Sequence, residues 1–432
     1  MEFPARSDID PLIEPQPSPS FARVRYEPGA KTLTDLLAAT RTELERLPFT
    51  DLEDGATVVI GVGSRGIHRI DEITAEAVSY VDERGFEPIV VPAMGSHGGA
   101  TPTGQRQTLE ALGITEEGIG APIDARMDVE KLSETDVDGT ATPVYFSAAA
   151  LEADAILVIN RIKPHTNFTG RIESGLCKML TVGLGKQRGA QAFHSTALKR
   201  GYVPTIESIV EVVREAVPLL GGLALVENFH EEIGRVEAIP AGSFEEREPA
   251  LLERARAEMP TLPTDDLDLL VVDELGKEIS GAGMDTNVIG RYRVLNAPDP
   301  KNPSVDLIYA RGLTDETKGN GNGIGLADVT RRAAVEQLDL RKTYANALTS
   351  GSLAKAKIPP VAPTDELALR VALNALGGYD PKTVRIAWIE DTTHLAEFRV
   401  SEALLEDISN VVSVIERERL VFEDGTASFE PR

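Results

Sequence analysis

The run Ala153-Asp-Ala-Ile-Leu-Val-Ile159 leads directly into a polar, glycine-rich segment, residues 160–195. A short continuous apolar run predicts a strand that is buried on both faces, as in a parallel sheet. The segment after it carries His165, His194 and the single cysteine of the chain, Cys177. Polar loops at the carboxyl ends of parallel strands are where α/β proteins bind ligands. We therefore expect residues 160–195 to form the centre of a ligand site.

Two more apolar runs, residues 56–63 and 87–93, predict buried strands that end in polar loops. Helical apolar spacing over residues 70–84 and 206–219 separates these strands from later ones. Strands that alternate with helices in this way predict a parallel, doubly wound α/β sheet.

A chain of 432 residues is too long for one ordinary core. Residues 267–273 begin a second alternating pattern, after an acidic, proline-interrupted stretch at 245–266 that is typical of an interdomain connection. We therefore predict two α/β domains with mostly parallel sheets, residues 1–262 and 263–432. We expect the cofactor and the active site in the cleft between them.

The composition excludes several kinds of partner. A formal net charge of −25 opposes binding to nucleic acid or to an anionic membrane. No apolar run approaches the roughly 20 residues of a membrane span, and the N-terminus lacks the pattern of a signal peptide. We expect a cytoplasmic protein that acts on a small molecule, and the sequence leaves its oligomeric state open. Acidic residues outnumber basic ones, 69 to 44, which suits either a halophilic source or an ordinary acidic protein.

The chemistry of the segment can be read from its residue types. Lys178 lies between apolar neighbours in Leu176-Cys-Lys-Met-Leu180, so its ammonium group is hard to solvate. A desolvated lysine amine is a nucleophile, and histidine is either a metal ligand or a proton carrier. One histidine and one lysine fall short of the roughly four protein ligands of a closed metal site. A metal bound here would therefore need donors that are not protein.

These motifs resemble the nickel-pincer nucleotide lactate racemase family. The resemblance rests on His165, the run Lys178-Met-Leu-Thr-Val-Gly183, His194 and an upstream Gly-Ser-His97. It extends from about residue 56 into the last third of the chain. It implies a nickel-pincer nucleotide, which is a pyridinium-3,5-bisthiocarboxylic acid mononucleotide that holds nickel through one ring carbon and two sulfur atoms. Soft donors in a planar arrangement suit Ni(II).

The resemblance implies a role for each matched residue. Lys178 would tether the cofactor through a thioamide, and His194 would ligate nickel. His97 and His165 would be the two catalytic acid–base groups, and Arg65 would bind the substrate carboxylate.

Some positions depart from the family pattern. Residues 62–66 read Val-Gly-Ser-Arg-Gly where the family has Asp-His-Thr-Arg-Pro. The lysine that binds substrate from the second domain has no secure counterpart. Asn287 and Arg291 are the candidates there, and Lys277 is a weaker one.

The activity implied is inversion of the hydroxyl-bearing carbon of a 2-hydroxy acid, by reversible hydride transfer to the cofactor. Two histidines on opposite sides of one carbon suit a reaction that runs in both directions. Thr166, Asn167 and Thr169 follow His165 directly, and buried polar groups select substrates that satisfy them. We therefore expect a substrate more polar than lactate, such as a sugar acid or a hydroxy diacid.

Two other functions stay open. Gly61-Val-Gly-Ser-Arg-Gly66 fits the glycine pattern of a nicotinamide-dependent oxidoreductase, although the next strand ends without the acid that binds ribose. A non-catalytic anion- or metal-binding protein is the other alternative, but it would not need two separate histidines and a lysine. The glycine-rich run 318–325 is a weak phosphate-binding signal, with a flexible turn as its alternative.

Overall fold

The computed structural model describes residues 2–64, 66–295 and 297–432. In these ranges the strands are β1 Ser20–Tyr26, β2 Thr57–Val62, β3 Glu87–Pro92, β4 Val129–Val137, β5 Thr140–Ser147, β6 Ala155–Arg161, β7 Leu219–Glu227, β8 Ile233–Pro240, β9 Asp266–Val272, β10 Ser304–Ala310, β11 Val329–Arg331, β12 Val361–Ala362, β13 Ile386–Ile389, β14 Glu397–Ser401, β15 Val412–Glu423 and β16 Thr426–Pro431. The helices are α1 Arg6–Ile9, α2 Leu36–Leu44, α3 Ile70–Asp82, α4 Pro102–Glu110, α5 Glu116–Ile119, α6 Ala148–Leu151, α7 Leu176–Lys178, α8 Lys186–Arg200, α9 Tyr202–Ala216, α10 Phe244–Glu258, α11 Thr286–Ile289, α12 Arg332–Glu336, α13 Leu340–Ser350, α14 Asp365–Ala375 and α15 Glu402–Ile408. None of the helices in the described ranges is long and apolar enough to cross a bilayer.

The chain divides into two compact units. The N-terminal unit contains Ala30–His165 and Thr169–Met259, and the C-terminal unit contains Met1–Gly29, Thr166–Phe168 and Pro260–Arg432. The domains predicted from the sequence, 1–262 and 263–432, differ from these units in three segments, one of which is residues 260–262, in the C-terminal unit. Both the first 29 residues and the three residues after His165 group with the C-terminal unit.

The sheet of the N-terminal unit has the strand order β3-β2-β6-β7-β8. All neighbours are parallel except β8, which pairs antiparallel with β7. From β2 the chain continues to β3 on one side, and from β6 it continues to β7 on the other side. The two connections therefore diverge at the carboxyl ends of β2 and β6, and such a point opens a crevice where α/β proteins bind ligands.

The apolar runs of the sequence are the central strands of this sheet. The predicted strands at 56–63, 87–93 and 153–159 are observed as β2, β3 and β6. Ile60 on β2 and Leu157 on β6 have no exposed surface. Burial on both faces explains why these strands are continuously apolar.

The C-terminal unit has a longer sheet, with the order β12-β11-β10-β9-β13-β14-β1-β15-β16. The strands from β12 to β13 are parallel, and the pairs from β13–β14 onward are antiparallel. The predicted class, α/β with mostly parallel sheets, is confirmed.

The acidic stretch at 245–266 is largely helical, and the boundary between the two units, at Met259 and Pro260, falls within it. Helix α10 spans most of it and buries Phe244, Leu251 and Leu252. Pro249 lies inside this helix, and a proline lacks the N–H that would bond the carbonyl four residues earlier. Arg171 compensates, because its Nη1 donates to the Glu245 carbonyl at 3.0 Å.

An ion-pair network stabilises the parallel strands of the C-terminal unit. The Asp365 side chain is fully buried, at the start of α14. It accepts hydrogen bonds from Arg311 at 2.8 Å, from Arg331 at 2.9 Å and from the Tyr309 hydroxyl at 2.5 Å. Burial alone raises the pKa of Asp365, but the hydrogen bond and the charge of Arg311 outweigh burial and lower it.

Replacing Asp365 by alanine should destabilise the protein by about 3–5 kcal/mol at pH 7, because it leaves partly buried arginines without their counter-charge. Urea unfolding measures this difference. The folded-state pKa is lowered, so the contribution is present above the unfolded pKa of about 3.9 and is lost as the pH falls through the folded value. The control Glu430→Ala removes an exposed partner of Arg419 and should barely move the midpoint. Equal stability of the Asp365 variant and the wild type at pH 7 would contradict the prediction.

Candidate functional site

The loop after β3 packs against the turn that follows Lys178. Residues Met179–Gly183 form one π-helical turn, and the Gly95 amide donates to the Gly183 carbonyl at 3.0 Å. A Cβ atom at Gly183 would lie 2.7 Å from the Ala93 carbonyl oxygen. Glycine at 183 is therefore required for the close approach of these two backbones.

His97 lies in this loop, next to the loop that follows β2. Its Nδ1 forms a hydrogen bond with the Ser64 hydroxyl, and its side chain is exposed. The structure thus joins the loops after β2 and β3 through a side chain predicted to be catalytic. Arg65, the predicted carboxylate-binding residue, lies outside the described residues.

A buried lysine, Lys186, supports the His97 loop through hydrogen bonds. Lys186 has no exposed surface, and its Nζ donates to the Pro92 carbonyl at 2.7 Å and to Gln105 Oε1 at 3.2 Å. Gln105 in turn donates to the Gly95 carbonyl at 2.9 Å. Burial lowers the pKa of Lys186 to about 8. The sequence analysis assigned Lys186 no role, and nothing in its spacing marks it as a supporting residue.

His165 is held by a buried carboxylate. Glu173 accepts from the His165 amide at 2.5 Å and from the Gly170 amide at 2.6 Å, and it forms an ion pair with Arg256. Its side chain has no exposed surface, and burial raises the pKa of this carboxyl. The sequence analysis missed Glu173, although it is the one acid between His165 and Lys178. That isolation among basic residues is the signal available in the sequence.

Two aromatic rings connect His165 with His194. The Tyr202 ring lies 6.3 Å from the His165 ring and 6.1 Å from the Phe193 ring, measured between centroids. Phe193 and His194 are edge to face at 5.2 Å. Phe193 is fully buried and Tyr202 nearly so. The aromatic pair therefore forms an apolar boundary between the two histidines.

Lys178 ends α7, and His194 lies on α8, which packs against the π-helical turn after Lys178. Both side chains are partly buried. Burial lowers the pKa of His194 to about 4, and the charge of Lys178 contributes in the same direction. His194 is therefore a neutral imidazole at pH 7, which is the form that binds metals.

Cys177 is a poor candidate for a metal ligand. Its thiol is buried, and burial strongly raises its pKa. Metals bind the thiolate rather than the thiol.

The donor set near His194 fits a cofactor that brings its own donors. Within the described ranges, one group of three side chains is arranged to hold a metal ion, namely Glu390, Asp391 and His394. That group lies in the C-terminal unit and does not include His194. A metal bound by His194 would therefore depend on non-protein donors, which is what a tethered pincer nucleotide supplies.

The two substrate candidates of the C-terminal unit have other partners. Arg291 is buried, forms an ion pair with Asp328 at 2.6 Å, and donates to the carbonyls of Leu326, Val305 and Asp306. This geometry gives the predicted substrate role of Arg291 no support. Asn287 Oδ1 accepts from Tyr292, and its Nδ2 donates to Asp285 at 3.1 Å.

The polar residues after His165 are also engaged. Lys355 is buried in the C-terminal unit, and its Nζ donates to Asn167 Oδ1 at 2.7 Å and to the Thr166 carbonyl at 3.2 Å. Thr286 donates to the same carbonyl at 3.0 Å. The amide oxygen of Asn167 therefore has a protein donor and does not need one from a substrate.

The glycine-rich run 318–325 uses its amides within the protein. The Gly321 amide donates to Thr343 at 3.0 Å, and the Gly323 amide donates to the Lys355 carbonyl at 2.8 Å. A Cβ atom at Gly325 would lie 2.8 Å from the Lys357 amide nitrogen. These glycines permit close backbone packing, which explains them without a phosphate.

Comparisons with known proteins place this arrangement among related folds. A family model described as a domain of unknown function, DUF362, matches residues 67–275, slightly under half of the chain. No curated protein matches in sequence. The lactate racemase apoprotein from Thermoanaerobacterium thermosaccharolyticum has a similar fold, with a TM-score of 0.51 and 15% identity over 85% of this chain and 94% of that chain. A protein from Thermotoga maritima has a TM-score of 0.47 and 16% identity over 74% of this chain and 80% of that one.

Replacing Glu173 by leucine should loosen the His165 loop, because the amides of His165 and Gly170 lose their buried acceptor. Hydrogen exchange of these two amides should accelerate at least tenfold, as measured by mass spectrometry or NMR. The control Glu253→Gln changes an exposed partner of the same Arg256 and should leave both amides protected. Unchanged protection in the Glu173 variant would show that the carboxylate does not hold the loop.

Proposed function

We propose that the protein is a racemase or epimerase that inverts the hydroxyl-bearing carbon of a 2-hydroxy acid, using a nickel-pincer nucleotide bound to Lys178. The observation that carries the proposal is the position of His194, a partly buried imidazole with a lowered pKa, on the helix that packs against the turn after Lys178. The fold shared with a lactate racemase apoprotein agrees with it. When bound, the cofactor would supply reversible hydride transfer at C2 of the substrate.

The chain's own residues would supply orientation and proton transfer. His97, oriented by Ser64, and His165, held through Glu173, are the proposed acid–base pair. One would accept the hydroxyl proton as the keto acid forms, and the other would return a proton when the opposite face is reduced. We assign binding of the substrate carboxylate to Arg65, because a guanidinium makes two parallel hydrogen bonds to a carboxylate.

We propose a small hydroxy acid as the substrate, and a more polar acid than lactate remains the expectation. Asn167 does not support that preference, because Lys355 already donates a hydrogen bond to its side chain. It rests on the hydroxyl groups of Thr166 and Thr169, of which Thr169 is exposed. Lactate, gluconate-like acids and malate-like acids are therefore all required in a substrate comparison.

The nicotinamide alternative is weaker. In a dinucleotide site the pyrophosphate lies on the first amides of the helix after the first strand. Here Glu227 accepts from the His68 amide at 2.9 Å, just before α3. Asp71 and Glu72 occupy the first turn of that helix. Three carboxylates at this end of α3 would repel a pyrophosphate.

The tether and ligand roles can be tested by intact-protein mass and nickel content, on protein from a host that makes the cofactor. Lys178→Ala should carry no adduct, because its amine is the proposed attachment point. His194→Ala should keep some adduct and lose nickel, whereas the control Cys177→Ser should retain nickel. Full nickel occupancy in the His194 variant would refute the ligand role. Release of free NAD on denaturation would support the nicotinamide alternative instead, and protein without adduct or nickel would support a binding protein.

The acid–base roles predict a loss of turnover without a loss of cofactor. His97→Ala and His165→Ala should each reduce the rate of inversion at C2, followed by chiral chromatography of the hydroxy acid, by about 100- to 10,000-fold, the usual contribution of a general acid or base. Both variants should keep the adduct and the fold. If either variant carries no adduct and has the circular dichroism spectrum of an unfolded protein, that histidine has a structural role.

A further inference from the structure

Glu248 is a buried carboxyl group to which the proposed reaction assigns no role. It lies on α10 and is 1% exposed. Its Oε1 accepts from the Cys177 amide at 2.8 Å. Cys177 lies in the single helical turn that ends at Lys178.

The Glu248 carboxyl packs closely against the backbone of Gly175. A Cβ atom at Gly175 would lie 2.7 Å from Glu248 Oε1 and 2.8 Å from Ile162 Cδ1. The Gly175 carbonyl is fixed from the other side, because Asn160 Nδ2 donates to it at 3.0 Å. The residue before the turn is thus held between β6 and α10.

A turn this short depends on an external acceptor. The first amides of any helix have no partner inside the helix, and α7 has only three residues before the π-helical turn Met179–Gly183 begins. If these amides were buried without an acceptor, each would lose its hydrogen bond to water, and the folded protein would be less stable. Glu248 supplies the acceptor, and the direction of Lys178 follows from the turn that it fixes.

We propose that Glu248 is the positioning residue of Lys178: by capping the turn 176–178 it aims the lysine amine for covalent attachment of the cofactor. This inference rests on the proposed function, in which Lys178 is the tether. The effect is local, since Glu173, the other carboxylate that accepts backbone amides in this segment, holds the His165 loop instead.

The test compares adduct occupancy in full-length variants from the cofactor-making host, by intact mass. Glu248→Leu should lower occupancy of Lys178 at least tenfold, because leucine fills space but accepts no hydrogen bond. Glu248→Gln keeps an acceptor oxygen and should load within twofold of the wild type. The matched control Glu173→Leu also removes a buried carboxylate and should load normally. In apoprotein, the amide of Cys177 should exchange at least tenfold faster in Glu248→Leu alone.

Two results would overturn the inference: a folded Glu248→Leu protein that loads within twofold of the wild type, or equal losses in the Glu248 and Glu173 leucine variants. If Glu248→Leu does not fold, Gly175→Ala is the second variant, because its methyl group displaces the same carboxyl. Normal loading of folded Gly175→Ala would also overturn it. Failure of the proposed function can be told apart from failure of this inference, because the wild type itself would then carry no adduct on Lys178.

Discussion

The divergence of the chain at the carboxyl ends of β2 and β6 is the constraint on which the candidate site depends. Strands buried on both faces cannot carry polar side chains along their length, so polar groups gather where the strands end. β6 is buried up to Ile159 and becomes polar at Asn160. The loops after β2, β3 and β6 leave the same edge of the sheet, which explains how residues far apart in sequence form one site.

Loops at such an edge need hydrogen-bond acceptors that regular strands would otherwise supply. Buried backbone amides must be paired, and the two oxygens of a carboxyl group can accept more than one hydrogen bond. Glu173 serves the loop of His165, and Glu248 serves the turn of Lys178. Lys186 supports the His97 loop as a donor rather than an acceptor, because its amine donates to the Pro92 carbonyl. The reactive side chains are thus fixed mainly through their backbones.

The elements predicted best from the sequence were those set by local pattern. β2, β3 and β6 follow from continuous apolar runs, whereas α10 was missed because Pro249 and a high acidic content masked its buried face. Lys178 and His194 were matched by motif, and their roles stay predictions. Glu248 could not be predicted, since it contacts Cys177 across 71 positions of sequence. Likewise, the Asp328 partner that accounts for Arg291 is a tertiary contact.

The choice between two lysines shows why reactivity alone does not identify the tether. Burial lowers the pKa of Lys186 to about 8, and a lowered pKa makes an amine the better nucleophile at neutral pH. That amine, however, has no exposed surface and holds the Pro92 carbonyl and Gln105. Acylation of Lys186 would break the support of the His97 loop. Lys178 is partly exposed, and its charge contributes to the lowered pKa of His194, so of these two lysines Lys178 is the better candidate for the tether.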